Sequence, residues 1–257
     1  MSLFYVPNIS AGNILPEEES QHAVKVLRLQ TGDAITVVDG AGGFYKARIS
    51  NPHPKHCGFE ITETIIDYGK RDYKLHIAIA PTKNIERLEW FIEKATEIGI
   101  DEITPLICRF SERKMIKAER LERIIVSAAK QSVKAYFPTL NPLCTFDELM
   151  KKQKASQKYI AHCYTSPPTP HPKERGADNI DLENSFSDKR LLQTECKNPK
   201  DVLILIGPEG DFSKEEVQKA ISAGFIPVSL GNSRLRTETA GVVACCTIAF
   251  SEVRGKK

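Results

Sequence analysis

The sequence predicts an α/β fold in which a strand-rich module precedes a larger unit built on a parallel sheet. Three observations carry this. Leu75–Ala80, a helical stripe and Ile103–Ile107 follow one another as strand, helix and strand, the order of a right-handed crossover. Val202–Ile206 is a short, fully apolar run, as a strand buried on both faces should be. Residues 1–70 instead carry short β-like runs separated by turn residues.

In chain order, Leu3–Val6 and Ala34–Asp39 read as strands, Gly40-Ala-Gly-Gly43 as a turn, and Phe44–Ser50 as the returning strand. Between them Glu18–Leu29 places Ala23, Val26 and Leu27 near helical spacing. Ile61–Tyr68 closes the module before a charged hinge, Gly69-Lys-Arg-Asp72, and a small β-barrel accommodates the pattern. Phe44 and Tyr45 could stack on a base, although in a strand one of them should face the core. In the second unit Leu88, Phe91, Ile92, Ala95 and Ile98 form one apolar stripe that Gly99 can cap. From Arg109 to Lys134 eight Lys/Arg stand against three Glu, while Leu121, Ile124, Ile125 and Ala128 mark a buried stripe. Such a helix presents a basic face that can collect nucleic-acid phosphates, or simply a solvated one. Thr145–Met150 reads as a short helix, Lys158–Cys163 as a strand, and 165–185, opening on Ser166-Pro-Pro-Thr-Pro170, as a long surface connection.

The strand Val202–Ile206 runs into Gly207-Pro-Glu-Gly210, after which Ser213 and Glu216 stand in capping-box positions for a helix that stops near Gly224. Phe225–Leu230 returns as a strand, Gly231 opens a loop that reaches Thr239, and an apolar helix covers about Ala240–Phe250. A turn at the carboxyl end of a parallel strand is where such sheets hold ligands. The turn lacks GxxxxGK[ST], and the chain lacks GxGxxG, which argues against nucleotide triphosphate hydrolysis and a dinucleotide site.

The 257 residues leave room for two modest domains, and a formal charge of +3 says little about partners. Residues 1–70 hold six Lys/Arg and eight Asp/Glu, so any basic face there is local. No run is long and apolar enough to span a membrane, the N-terminus lacks leader features, and a cytoplasmic protein is expected. Seven cysteines without a CxxC pair or zinc spacing read as reduced thiols and no metal site; Cys245 and Cys246 look like buried packing.

Ile206-Gly-Pro-Glu-Gly-Asp-Phe-Ser213 and Leu230-Gly-Asn-Ser-Arg-Leu-Arg-Thr-Glu-Thr-Ala-Gly241 resemble the paired signature of the RsmE-type ribosomal RNA methyltransferases, of the knotted SPOUT superfamily. His22–Leu29 with Gly32-Asp33, Lys94–Gly99 and Arg109–Lys114 extend the likeness over almost the whole chain. The resemblance implies a PUA-like RNA-binding β-barrel over 1–70 and a SPOUT methyltransferase domain over 73–257 with a trefoil knot near 203–250. It implies S-adenosylmethionine as cofactor, N3 of a uridine in 16S rRNA as acceptor, the rRNA or the small ribosomal subunit as partner, and a homodimer. It places cofactor contacts at Gly207, Glu209, Gly210, Leu230, Gly231, Leu235, Arg236, Thr237 and Thr239. Arg236 is the candidate for stabilising the uridine anion, with Arg109 or Arg113 orienting phosphate. RNA contacts are expected at Lys25, Arg28, Arg109, Arg113, Lys114, Arg123 and Lys130, and Lys46 and Arg48 are further candidates. Lys130 departs from the family, in which an acid is common there.

The proton acceptor is left open. Glu238 is expected to hold Arg236 rather than act as base, Glu209 could cap the knot loop, and His22 reads as packed or RNA-facing rather than catalytic. A SPOUT enzyme for another RNA position, or a noncatalytic ribosome-assembly module, remains the alternative.

Overall fold

The computed structural model describes residues 2–163 and 189–255, with side chains to 251. The expected connection at 165–185 lies outside the described residues. The chain forms two compact units, and the division does not follow a single cut: residues 1–72 join with 119–139, and 73–118 join with 140–257.

The first unit contains β1 (Leu3–Tyr5), α1 (Glu17–Gln21), β2 (Ala34–Val38), β3 (Phe44–Asn51) and β4 (Gly58–Ile65), in a sheet of order β1-β2-β3-β4. β1 is parallel to β2, and the other pairs are antiparallel. β4 starts three residues before the expected strand and stops at Ile65 rather than Tyr68. After α1 the backbone widens into a π-helical turn, His22–Val26. That turn breaks the 3.6-residue repeat, so Ala23 is buried while Val26 and Leu27 are 67% and 39% exposed.

Both Phe44 and Tyr45 are buried, on opposite faces of β3. Tyr45 packs with Phe4, Val37 and Ile49, whereas Phe44 packs with Val38 and Ala135 and stacks on Tyr68 at 4.2 Å. Neither ring is free to stack on a base. The second face is covered around Phe44 because residues 119–139 return to this unit, while Lys46 and Arg48 on that same face of β3 stay exposed.

The second unit holds β5 (Lys74–Ile79), α2 (Ile85–Ile98), β6 (Glu102–Ile107), β7 (Thr139–Leu140), β8 (Cys144–Thr145), α4 (Phe146–Lys152), β9 (Gln157–Ala161), β10 (Arg190–Leu191), α5 (Leu192–Glu195), β11 (Asp201–Ile206), α6 (Lys214–Ser222), β12 (Ile226–Ser229) and α7 (Thr237–Gly255). The basic helix α3 (Ala118–Gln131) precedes β7 and buries Leu121, Ile125, Ala128 and Ala129. The sheet runs β10-β12-β9-β11-β5-β6-β7, with β8 also on β6. Its pairings around the centre are parallel. β11 therefore enters between β5 and β9, two strands that precede it in sequence.

Local chemistry explains the elements. Asn84 caps α2 by accepting the Glu86 N–H, and Gly99 ends it at φ 115°, a conformation that favours glycine. Ser213 and Glu216 form a full capping box on α6. α7 begins at Thr237, three residues before the expected start, so the loop from Gly231 is shorter and Thr237 and Thr239 are helical. α2 and α7 approach closely at Gly241, where an added Cβ would lie 2.5 Å from the Phe91 ring. Cys245 is buried, and all seven cysteines are free thiols.

Candidate active site

The carboxyl ends of β9, β11 and β12 converge on two adjoining cavities of about 260 and 710 Å³ that share Cys163, Asp211, Arg234 and Leu235. The first is bounded by the turn after β11 and by Arg236 and Thr237; the second by the loop 229–235 and Lys189. Their size suits a small-molecule ligand.

The turn after β11 is fixed from several sides. Thr237 Oγ1 donates to the Gly207 carbonyl at 3.0 Å, tying the start of α7 to the turn. Glu209 Oε1 accepts the Lys83 N–H at 3.0 Å, tying the turn to the segment between β5 and α2. Asp211 adopts φ 68°, unusual for a residue with a side chain. Its carboxylate accepts the N–H of Cys163 at 2.7 Å and of Phe212 at 2.8 Å. Glu216 accepts the Arg109 and Ser213 N–H groups, both at 2.8 Å. A Cβ on Gly207 would stand 3.1 Å from the Phe212 ring, and one on Gly210 would stand 3.0 Å from the Phe110 Cβ. Close packing therefore favours glycine at both positions.

The loop after β12 is looser. Ser229 Oγ and Gly231 exchange hydrogen bonds of 2.9 and 3.3 Å, and residues 231–234 are exposed. Gly231 has φ 140°, and no heavy atom lies within 4 Å of where its Cβ would be. Its backbone is open to a ligand. The Ala240 N–H makes a helical bond to the Arg236 carbonyl at 2.8 Å, so the amides just before it have no carbonyl within α7 to bond.

Of the sequence-predicted cofactor residues, Gly207, Glu209, Gly210, Leu230, Gly231, Leu235, Arg236 and Thr237 line the two cavities. Thr239 does not: it lines a separate hollow with Arg87, Trp90 and Glu238. Glu238 is 7% exposed and its nearest cation is Arg87, 3.8 Å away, not Arg236 as expected. One helical turn places positions 236 and 238 on different faces of the start of α7, and the carboxylate points toward α2. Arg236 stays exposed on the cavity wall.

Sequence reasoning missed Ala161, Cys163, Lys189 and Asp211 as lining residues. The first two follow from β9 ending at Ala161, short of the expected Cys163, so that His162 and Cys163 belong to the loop at a strand's carboxyl end. Burial pushes the His162 imidazole down to about 4, helped by nearby Lys189, whose ammonium donates to the His162 carbonyl.

The basic candidates divide by their partners. Arg113 donates to the carbonyls of Thr82 and Lys83 at 3.0 and 2.7 Å, a framework role. Arg109 is exposed, 3.6 Å from Glu215, and Lys114 is exposed. In the first unit Lys25, Arg28 and Arg123 are exposed, His22 is exposed beside Phe4, and Lys46 and Arg48 are held by Glu63 and the Gly32 carbonyl. Lys130 binds both Glu19 oxygens at 2.6 and 2.8 Å and lies 5.9 Å over the Phe4 ring. A lysine so bound is less available to a phosphate than the exposed Lys25, Arg28 and Arg123. Among the described residues no group of three or more His, Cys, Asp and Glu side chains could hold a metal, and no helix is long and apolar enough to cross a membrane.

Comparison with known proteins completes the description. Residues 70–249 match the model of an RNA methyltransferase domain, and residues 15–62 match an RNA methyltransferase PUA domain. The chain is 29% identical over 245 residues to ribosomal RNA small subunit methyltransferase E of Synechocystis, covering 93% of this chain and 73% of the relative. It superposes on the crystal structure of a probable rRNA-methyltransferase from Porphyromonas gingivalis with a TM-score of 0.85 and 40% identity, covering 99% of this chain and all of the other. A ribosomal RNA small subunit methyltransferase E from Neisseria gonorrhoeae, solved bound to S-adenosyl methionine, matches with a TM-score of 0.78 and 26% identity over 97% of both chains.

Proposed function

Because the chain belongs to the RsmE-type RNA methyltransferase family, we propose that it transfers the methyl group of S-adenosylmethionine to N3 of one uridine in 16S ribosomal RNA. The observation that carries this is the pair of cavities at the ends of β9, β11 and β12, lined by the residues the family motif designates. The site fits the cofactor: Gly231 offers bare backbone, Ile206, Leu235 and Ala240 offer apolar surface, and Gly207 permits a tight turn beside them. Bound there, S-adenosylmethionine supplies a sulfonium methyl carbon for in-line attack.

The residues of this chain do the rest. A neutral imide nitrogen is a weak nucleophile, so the uridine must lose its N3 proton, and charge then spreads over N3, O2 and O4. Arg236, exposed on the cavity wall, stabilises that charge, an effect of the kind worth 10²–10³ in rate. Glu209 and Glu238 are turned to the Lys83 N–H and to Arg87, and they act as framework. Arg109 and Lys114 orient phosphates beside the cavity, while Lys25, Arg28 and Arg123 hold RNA on the N-terminal unit. That unit is read as a PUA-like barrel.

The insertion of β11 between β5 and β9 supports a trefoil knot in the region 203–250. The exposure of Trp90 on α2 and of Phe250 on α7, at 43% and 64%, supports a homodimer that covers these helices. Action on ribosomal RNA supports a cytoplasmic protein that works without a membrane or a metal.

The test incubates the protein and labelled S-adenosylmethionine with small ribosomal subunits and with naked rRNA from a methylation-deficient source, then maps modified nucleosides by mass spectrometry. A single 3-methyluridine is expected. A ribose 2′-O-methyl product would assign the chain to another RNA position. No transfer together with no cofactor binding would leave an RNA-binding assembly module.

A further inference from the structure

The loop that follows β6, residues 108–117, holds an aromatic ring in solvent at the edge of the methyl-transfer site. Phe110 is 47% exposed, although Cys108 and Ser111 beside it are buried. Gly210 fixes its place: a Cβ built on that glycine would stand 3.0 Å from the Phe110 Cβ and 3.7 Å from its Cγ. The side chain therefore leaves the loop directly against the turn after β11. Gly210 lines the larger cavity and Phe110 lines neither, so the ring stands at the rim, just outside the wall.

A single exposed apolar side chain is ordinary on a protein surface, and this one is distinguished by its setting. Looseness does not explain its exposure. The Ser111 N–H donates to the Cys108 carbonyl at 3.1 Å, and Ser111 Oγ accepts the Cys108 N–H at 2.9 Å. Glu216 holds the Arg109 N–H at 2.8 Å, and the Arg113 guanidinium is held by the carbonyls of Thr82 and Lys83 at 3.0 and 2.7 Å. The chain on both sides of the ring is thus pinned to α6 and to the segment after β5. A ring presented by so constrained a loop is preorganised for a partner that covers it.

The surroundings select that partner. Residues 109–117 contain four cations, Arg109, Arg113, Lys114 and Lys117, against one carboxylate, Glu112, which is paired with Lys83 at 2.9 Å. Arg109 Cζ lies 6.0 Å from the ring centroid, and Lys114 and Lys117 are exposed. A π face among cations fits a single-stranded stretch of RNA, whose bases stack on the ring while its phosphates meet the charges.

We infer that Phe110 is a positioning residue for the rRNA substrate and stacks on a base that flanks the target uridine. Its place at the rim, outside the cavity lining, assigns it the neighbouring base rather than the reacting one. A stacked neighbour fixes the strand beside the uridine, so that N3 enters the cavity in one register. The inference rests on the methyl-transfer reaction proposed for the adjoining cavities.

The experiment compares Phe110 variants of the full chain with the wild type, using small ribosomal subunits from a methylation-deficient source. Affinity is read by filter binding, and methyl transfer by initial rates. Phe110→Ala keeps the Cβ that packs on Gly210, and it should weaken subunit binding and raise KM for subunits roughly 10- to 100-fold. S-adenosylhomocysteine affinity and the melting temperature should not change. Phe110→Leu, apolar but without a π face, should be equally impaired, and Phe110→Trp should bind within about threefold of the wild type. The slope of log affinity against log salt should be unaltered in Phe110→Ala and should fall by about one in Arg109→Ala, because stacking releases no counterions. The inference is overturned if the wild type does not bind subunits, if Phe110→Ala binds them equally, if Phe110→Leu restores binding, or if S-adenosylhomocysteine affinity falls in parallel. It is also overturned if Phe110→Ala changes the mass of the protein in solution, which would make the ring part of an interface between copies. Wild-type binding without methyl transfer would defeat the proposed reaction, and the comparison of affinities would still decide the role of Phe110.

Discussion

The two loops that bound the active-site cavities are built in opposite ways. The turn 207–211 is anchored through Thr237, Lys83 and Cys163, and its two glycines are packed against aromatic side chains. The loop 230–236 is held by a Ser229–Gly231 exchange, stands open at Gly231, and carries exposed Arg234 and Arg236. The difference separates two tasks. A rigid turn presents backbone groups in one geometry without reorganisation, and a looser loop lets charged side chains settle on a bound substrate.

Substitutions break or sharpen that contrast in a definite order. Gly207→Val should have the largest effect: the new side chain meets the Phe212 ring and its backbone nitrogen, at 3.1 and 3.2 Å. Methyl transfer should fall about 1,000-fold or more while the far-ultraviolet dichroism of the chain stays native, an estimate from the sensitivity of rate to small misplacements. Arg236→Ala should lower kcat about 100-fold and leave cofactor affinity, read by calorimetry, within a few fold. A matching loss of cofactor binding would move Arg236 from charge stabilisation to the framework.

His162, at the edge of the same cavities, tests rigidity through pH. Its imidazole titrates at about 4 in the folded chain, below the ordinary 6.5, so the unfolded chain binds the proton first as pH falls. This contribution to stability is intact above pH 6.5 and is lost between 6.5 and 4, by about 3 kcal/mol at most. Urea unfolding at pH 7 and pH 5 should show the decline, and His162→Asn should flatten it. Ser213→Ala removes one half of the α6 capping box and should cost about 1 kcal/mol in the same assay. Gly231→Ala should be mildest. The site has space but an unfavourable φ, so stability should fall by roughly 1 kcal/mol and turnover only a few fold. Equal damage from Gly231→Ala and Gly207→Val would erase the distinction between the loops.

What could be read from the sequence was local. The capping box at Ser213 and Glu216, the stripe of α2 and its glycine stop are written within a few residues and recur in the structure. Contacts between distant residues leave no such trace. Lys130 and Glu19 are 111 positions apart, so nothing periodic announces their ion pair. The turning of Glu238 toward Arg87, and the return of residues 119–139 to cover β3, are likewise products of tertiary packing. The π-helical turn at His22–Val26 misled because amphipathic spacing assumes 3.6 residues per turn. At the site, the motif located eight lining residues, while Cys163 and Lys189 come from outside it.

The central position of β11 also governs when the molecule can fold. β11 pairs with β5, about 127 positions earlier in the chain, and with β9 on its other side. Until Ile206 has been synthesised, β5 and β9 have no strand between them, and the nascent chain holds two apolar sheet edges apart. Closing such distant pairings is slow because loop entropy must be overcome before contacts repay it. Maturation of this unit is therefore a late event in translation, and the interval before β11 arrives is when the chain is most exposed to aggregation and most in need of chaperone protection.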